Sequence, residues 1–259
     1  MDQISVGVTK LLEELSVQSL SGHKVAETQM TLTNYSFFLI IAAVVTIVVV
    51  LYAVSKVKLV PESRVGSAME SAVEFVRDGL IVDIMGKEGI KYLPFIGTVF
   101  FFVLFNNFIG LIPGFKPGTG TMGTTVAWAL IVFVMYHSIG IKKNGFFPYL
   151  KHYVPKGVNI GMGLFIGLLE LISDFIRPLT LSVRLFANMY AGHITLGIFS
   201  VFTVLLLEAS GAVKAIAILP LALQIVMYGF EVFVAFLQAY IFSILTAVYI
   251  GGALHATEH

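Results

Sequence analysis

Apolar residues arrive in long runs along this chain, with polar residues gathered between them. The segment 33–54 holds the first run, "NYSFFLIIAAVVTIVVVLYAV". It carries no charge and reaches the roughly 20 residues that cross a bilayer. The stretch 62–85 has another rhythm. Met69, Val73, Val76, Leu80 and Ile84 recur at helical spacing, while Glu70, Glu74, Arg77 and Asp78 lie largely off that face. This predicts an amphipathic helix lying on the membrane surface rather than a span. Two further spans, 90–112 and 123–141, are joined by "PGFKPGTGTMG", a turn-rich loop suited to a hairpin. Before the first run, residues 1–32 are mixed, and Ile4, Val8, Leu11 and Leu15 predict a short amphipathic helix.

The last two runs are longer. Residues 157–208 form one apolar region interrupted at Pro178, and 212–254 form another. A 40-residue helix would be about 60 Å long, about twice the hydrocarbon thickness. Each region is therefore either a long tilted helix or two short spans with a tight turn. The pattern predicts an all-α polytopic membrane protein with about five membrane helices and one amphipathic interfacial helix. Residues 1–32 are an outer N-terminal segment, and 33–259 form a single membrane domain.

Composition sharpens this by exclusion. The chain is 58% hydrophobic and 12% charged, with a mean hydropathy of +0.93, against about a quarter charged in soluble domains. No polar block is long enough for a soluble catalytic domain. Cysteine is absent, so no disulfide or thiolate metal site is expected, and a net charge of +1 argues against nucleic-acid binding. Asp2, Glu13 and Glu14 are unlike the basic start of a signal peptide. Six Lys or Arg fall in 56–91 and four in 142–156, while the loop 113–122 holds only Lys116. These basic stretches are expected to face the cytoplasm, with the N-terminus outside and the C-terminus inside.

Several polar residues interrupt the apolar runs. An ionisable side chain near the bilayer centre costs about 3 to 10 kcal/mol, so it is retained where it meets a partner, water or an ion path. Arg184 is a permanent cation between "LSV" and "LFA". A buried ion pair with Glu170 or Glu231 is the plain alternative to an ion-path role. Asn188 follows by four residues and shares its face, and His193 follows by nine, on roughly the opposite side. Glu170, Ser173 and Arg177 form a polar stripe with Asp174 beside it. Gln224, Glu231 and Gln238 are seven apart each time and line one face of the last helix. Asn106 and Asn107 lie inside the second span, where an interhelical contact is the plain reading. One fixed cation among carboxyl, imidazole and amide groups suits a proton path with an electrostatic barrier.

The stretch "LSVRLFANMYAGH" (Leu181–His193) resembles the signature of subunit a of rotary F-type ATP synthases. "NNFIGLIP" (Asn106–Pro113) and "LQAYIFSILTAVYI" (Leu237–Ile250) resemble the family's other recurring stretches, in the same order. The resemblance implies a proton-translocating, non-catalytic stator subunit forming two half-channels against a ring of c subunits, beside peripheral-stalk b subunits. It implies that Arg184 is the charge barrier facing the ring carboxylate. His193, Glu231, Asn188, Gln238, Glu170, Ser173 and Asn107 would line the proton path, His193 and Glu231 at the inlet. It favours long last helices, folded as a steeply tilted hairpin. No cofactor, metal or directly bound nucleotide is expected, and the membrane is expected to be a bacterial plasma membrane, with an organelle inner membrane as the alternative. The rival class is an ion-coupled secondary transporter, but the chain lacks duplicated halves.

Overall fold

The computed structural model describes residues 2–16, 33–55, 64–154 and 159–254. Lys56, Lys58 and Lys156 of the basic stretches, residues 62–63 and 157–158, and most of the N-terminal segment after residue 16 lie outside the described residues.

The described chain is helical in long pieces. α1 (Asp2–Leu15) is the short amphipathic helix, and α2 (Asn34–Ser55) is the uncharged first run. The start of α2 is set by Thr33, whose Oγ1 accepts the Ser36 amide at 3.1 Å, a typical N-cap bond. α3 (Arg64–Val76) continues through a π-helical segment, Arg77–Val82, into α4 (Asp83–Met85). A 3-10 turn over Lys87–Tyr92 leads into α5 (Leu93–Gly110), which has Pro94 in its first turn. α6 (Met122–Asn144) ends at Gly145, whose φ of 85° favours glycine. The short α7 (Phe146–Lys151) follows, and Gly140 is pressed so closely on the Tyr149 ring that a Cβ would collide. α8 (Ile160–Glu208) and α9 (Ile218–Leu254) complete the chain.

Among the described residues, five helices are long and apolar enough to cross a membrane: those of α2, of α5 with its leading turn, of α6, of α8, and of α9 with the 3-10 turn before it. The all-α architecture read from the apolar runs is the observed one. Each of the last two runs is one continuous helix. α8 has 49 residues, about 73 Å at 1.5 Å per residue, and cannot stand upright in about 30 Å of hydrocarbon. Pro178 lies inside α8 without ending it. Pro220 sits in the first turn of α9, where its missing N–H costs nothing.

α9 is the central strut, packed against α5, α6 and α8. Leu80, Ile96, Phe100, Leu185, Phe242 and Ile250 are fully or almost fully buried between these helices. The apolar stripe of α3 and its continuation also reaches this core: Val76, Leu80, Ile81 and Met85 are buried against protein. Outward faces carry large apolar side chains such as Leu164, Ile225 and Val226, as lipid contact requires.

α6 separates two ends. At the loop end lie residues 111–121, α1 and the turn between α8 and α9. At the basic end lie Lys142, Lys143, Lys151 and the end of α9, where Asn144 Nδ2 donates to the Ala253 carbonyl at 2.9 Å.

Candidate functional site

α8 runs from one end to the other and passes three polar groups. At the basic end, Asp174 is buried and receives four donors. The Tyr136 hydroxyl donates to Oδ1 at 2.8 Å and the Tyr153 hydroxyl to Oδ2 at 2.7 Å. Arg177 Nη1 lies 3.0 Å from Oδ1, and His137 Nε2 lies 3.1 Å from Oδ2. Burial, then the bond to Asp174, pushes the Tyr153 phenol far above its ordinary range, so it remains a donor. A cavity of about 280 Å³ opens beside this cluster, and Glu170 lines it with Asp174 and Arg177. Ser173 does not line it: its side chain lies on the exposed side of α8.

In the middle, Arg184 and Asn188 lie on the exposed face of α8. Among the described residues Arg184 has no ion pair, so the expected alternatives of Glu170 or Glu231 as its partner are not realised there. Asn188 Nδ2 donates to Gln238 Oε1 at 2.8 Å, tying α8 to α9 one turn from the arginine. Gln238 is itself buried, and its Nε2 has no partner among the described residues.

Towards the loop end lies Glu231, 6% exposed. Neither carboxyl oxygen has a hydrogen-bond partner among the described residues, and the same holds for the buried Nε2 of His193. Leaving a buried polar group unpaired costs about 1 to 3 kcal/mol, and more for a charge. Both groups are left with unused hydrogen-bonding capacity among the described residues. Gly192 makes the room: a Cβ there would collide with Glu231 Oε1.

Asn107 faces the same side. Its Nδ2 donates to the Ala235 carbonyl of α9 at 3.3 Å, and its Oδ1 accepts the Thr119 hydroxyl at 2.9 Å. Asn106 Oδ1 accepts the Gly118 amide at 2.8 Å. The two asparagines fasten the loop 111–121 over the bundle, which agrees with the plain reading of a contact between elements. Tyr228 adds a third tie, donating to the Leu111 carbonyl at 3.0 Å.

Sequence reasoning placed Asp174 only beside a stripe and did not single out His137. Both are ionisable residues deep in apolar runs, the signal that singled out Arg184. Their pairing required knowing that α6 and α8 pack together. The role of Gly192 had no comparable signal, because glycine alone does not announce what approaches it.

Along α8, Asp174 precedes Arg184 by ten residues and His193 follows it by nine, about 15 and 14 Å of helix rise. The exposed cation therefore stands between the cavity beside Asp174 on one side and the buried, unpartnered Glu231 and His193 on the other.

Comparisons with known proteins give the family. The family model described as ATP synthase A chain matches residues 36–251. The chain is 40% identical over 230 residues to a protein named ATP synthase subunit a from Hyphomonas neptunium, covering 89% of this chain and 90% of that one. It is 39% identical over 255 residues to the protein of that name from Maricaulis maris, covering 95% and 98%. A third, from Mesorhizobium japonicum, is 42% identical over 230 residues, covering 88% and 90%.

Proposed function

We infer, for a chain that belongs to the ATP synthase A chain family, that Arg184 is the electrostatic barrier between two proton half-channels. The chain is an integral membrane protein and the proton-translocating, non-catalytic membrane subunit of an F-type ATP synthase. The secondary-transporter reading is not favoured. In the proposed assembly, the exposed face of α8 with Arg184 and Asn188 meets a ring of c subunits, and b subunits of the peripheral stalk hold the chain still.

The single observation that carries this reading is the position of Arg184: exposed, without an ion pair among the described residues, between the Asp174 cavity and the buried Glu231 and His193. A guanidinium in an apolar setting attracts a passing carboxylate and keeps it ionised. It also repels a proton moving directly from one half-channel to the other. Protons enter at the loop end through His193 and Glu231, load a ring carboxylate, ride the ring, and leave at the basic end past Glu170. Asn188 and Gln238 steady the arginine's surroundings through their shared hydrogen bond. Asn107 holds the loop end closed over the inlet, and Ser173 lies on the outer side of the outlet.

The positive residues Lys142, Lys143 and Lys151 support a cytoplasmic basic end. The N-terminus is then outside and the C-terminus inside, in a bacterial plasma membrane. The test is Arg184→Ala in the intact complex. Proton-driven ATP synthesis is expected to fall below detection while the complex still assembles. Undiminished synthesis would overturn the assignment.

A further inference from the structure

The hydrogen bonds around His137 fix a proton count. His137 Nδ1 lies 3.0 Å from the Phe133 carbonyl oxygen. A carbonyl only accepts, so Nδ1 carries a proton and donates it. In a neutral imidazole the other nitrogen, Nε2, then has a bare lone pair. It lies 3.1 Å from Asp174 Oδ2, which in an ionised carboxylate is also only an acceptor. Two acceptors at that distance repel. The Tyr153 hydroxyl does not relieve them, because it is 2.7 Å from Oδ2 and 3.5 Å from Nε2, and its one proton serves Oδ2. The contact is attractive only with a proton between Nε2 and Oδ2.

The charges around the cavity agree. Glu170 and Arg177 line it together with Asp174. With the shared proton the His137–Asp174 couple is neutral, and Glu170 balances Arg177. Without it, Asp174 and Glu170 carry two negative charges against the one positive charge of Arg177. Other titratable groups face the couple from the neighbouring elements. Tyr136 of α6 and Tyr153 after α7 donate to Asp174. Tyr149 and His152 line the cavity from the α7 side. Tyr249 of α9 lies beneath the Arg177 guanidinium at 5.6 Å.

We propose that His137 and Asp174 hold one shared proton and act as a proton-loading point at the basic end, exchanging it with the cavity that Glu170 lines. On release, the bond to the shared proton breaks, the proton passes to the Glu170 carboxylate or to water in the cavity, and Asp174 remains ionised beside a neutral His137. Uptake reverses these steps. A cavity of about 280 Å³ has room for several waters at about 30 Å³ each. The exchange role rests on the translocation reading above, whereas the shared proton does not.

The test uses the intact complex in sealed membrane vesicles, started at matched pH on both faces. The initial rate of ATP-driven proton pumping is measured against pH for the wild type, Asp174→Asn, His137→Phe and the double variant. Each single variant is expected to slow pumping about tenfold or more and to remove the same ionisation from the pH profile. The double variant is expected to be no slower than either single one, because the couple acts as a unit. An unchanged profile, or additive losses, overturns the exchange role. The shared proton is read on the wild-type complex by ¹⁵N-histidine spectra, assigned against His137→Gln. A bonded or protonated Nε2 is expected, and a bare, unbonded Nε2 overturns the couple. If Arg184→Ala leaves synthesis intact, the translocation reading itself fails. If Arg184→Ala abolishes synthesis while the Asp174 and His137 profiles stay unchanged, only this inference fails.

Discussion

On either side of Arg184 lie a buried carboxylate and a histidine, Asp174 of α8 with His137 of α6 and Glu231 of α9 with His193 of α8, but their surroundings are opposite. At the basic end Asp174 is held by two tyrosines, a histidine and an arginine. At the loop end Glu231 and His193 Nε2 have no partner among the described residues, and a glycine clears space for the acid. The first arrangement fixes the geometry of its acid, while the second leaves a carboxylate without a hydrogen-bond partner among the described residues. The difference shows why burial of an acid does not by itself define its role. What decides is whether the surrounding donors match its lone pairs.

The comparison can be broken most readily at Glu231. Glu231→Gln removes no hydrogen bond present among the described residues, so assembly and thermal stability should stay near wild type. Proton-driven ATP synthesis should fall about 100-fold, the scale of a lost acid–base group. A variant that unfolds instead would show that Glu231, like Asp174, is needed for stability.

Gly192→Ala tests the space rather than the charge. The added methyl displaces the Glu231 carboxyl, and synthesis should fall about tenfold, since misplacing a reacting group by about 1 Å can cost that much or more. Adding Glu231→Asp, one methylene shorter, should recover part of the loss. No recovery would mean that Gly192 serves helix packing alone.

At the other end the order of effects on stability reverses. Asp174→Asn replaces an acceptor of four donors with an amide and should destabilise the protein by about 3 kcal/mol. Thermal unfolding in detergent, compared with Glu231→Gln, reads the contrast directly.

Asn107→Ala loses the bonds to Thr119 and Ala235, at a cost of about 2 kcal/mol. Faster proteolysis within 111–121 is the expected sign. The smallest effect is expected for Asn188→Ala, which breaks one half-exposed bond to Gln238 worth about 1 kcal/mol. Synthesis should fall severalfold without loss of assembly.

Much of the fold was legible because membrane physics leaves few options. An uncharged apolar run such as the one in α2 must satisfy its backbone internally, and a helix does so. The amphipathic phase of residues 62–85 was equally visible. Its depth was not, because Val76 and Leu80 are covered by helices distant in sequence. Pro178 looked like an interruption, yet α8 continues through it, as neighbouring packing in a membrane bundle allows. The spacing of Glu231 and Gln238 was readable along one helix. The Asn188–Gln238 bond and the His137–Asp174 contact join different helices, and no periodicity within one helix reveals them. The asparagines of α5 stood out as polar in an apolar run, but the donors to their oxygens lie in a loop that the pattern described only as a turn, and the acceptor of Asn107 lies in α9.

The most direct test of the barrier is passive proton conductance through membranes in which the catalytic head has been removed. Arg184→Ala should raise the leak severalfold, and adding Glu231→Gln should bring it back towards the wild-type level, because the leak would then run between the two half-channels. A leak that does not rise, or that rises and ignores Glu231, would contradict a channel divided by Arg184.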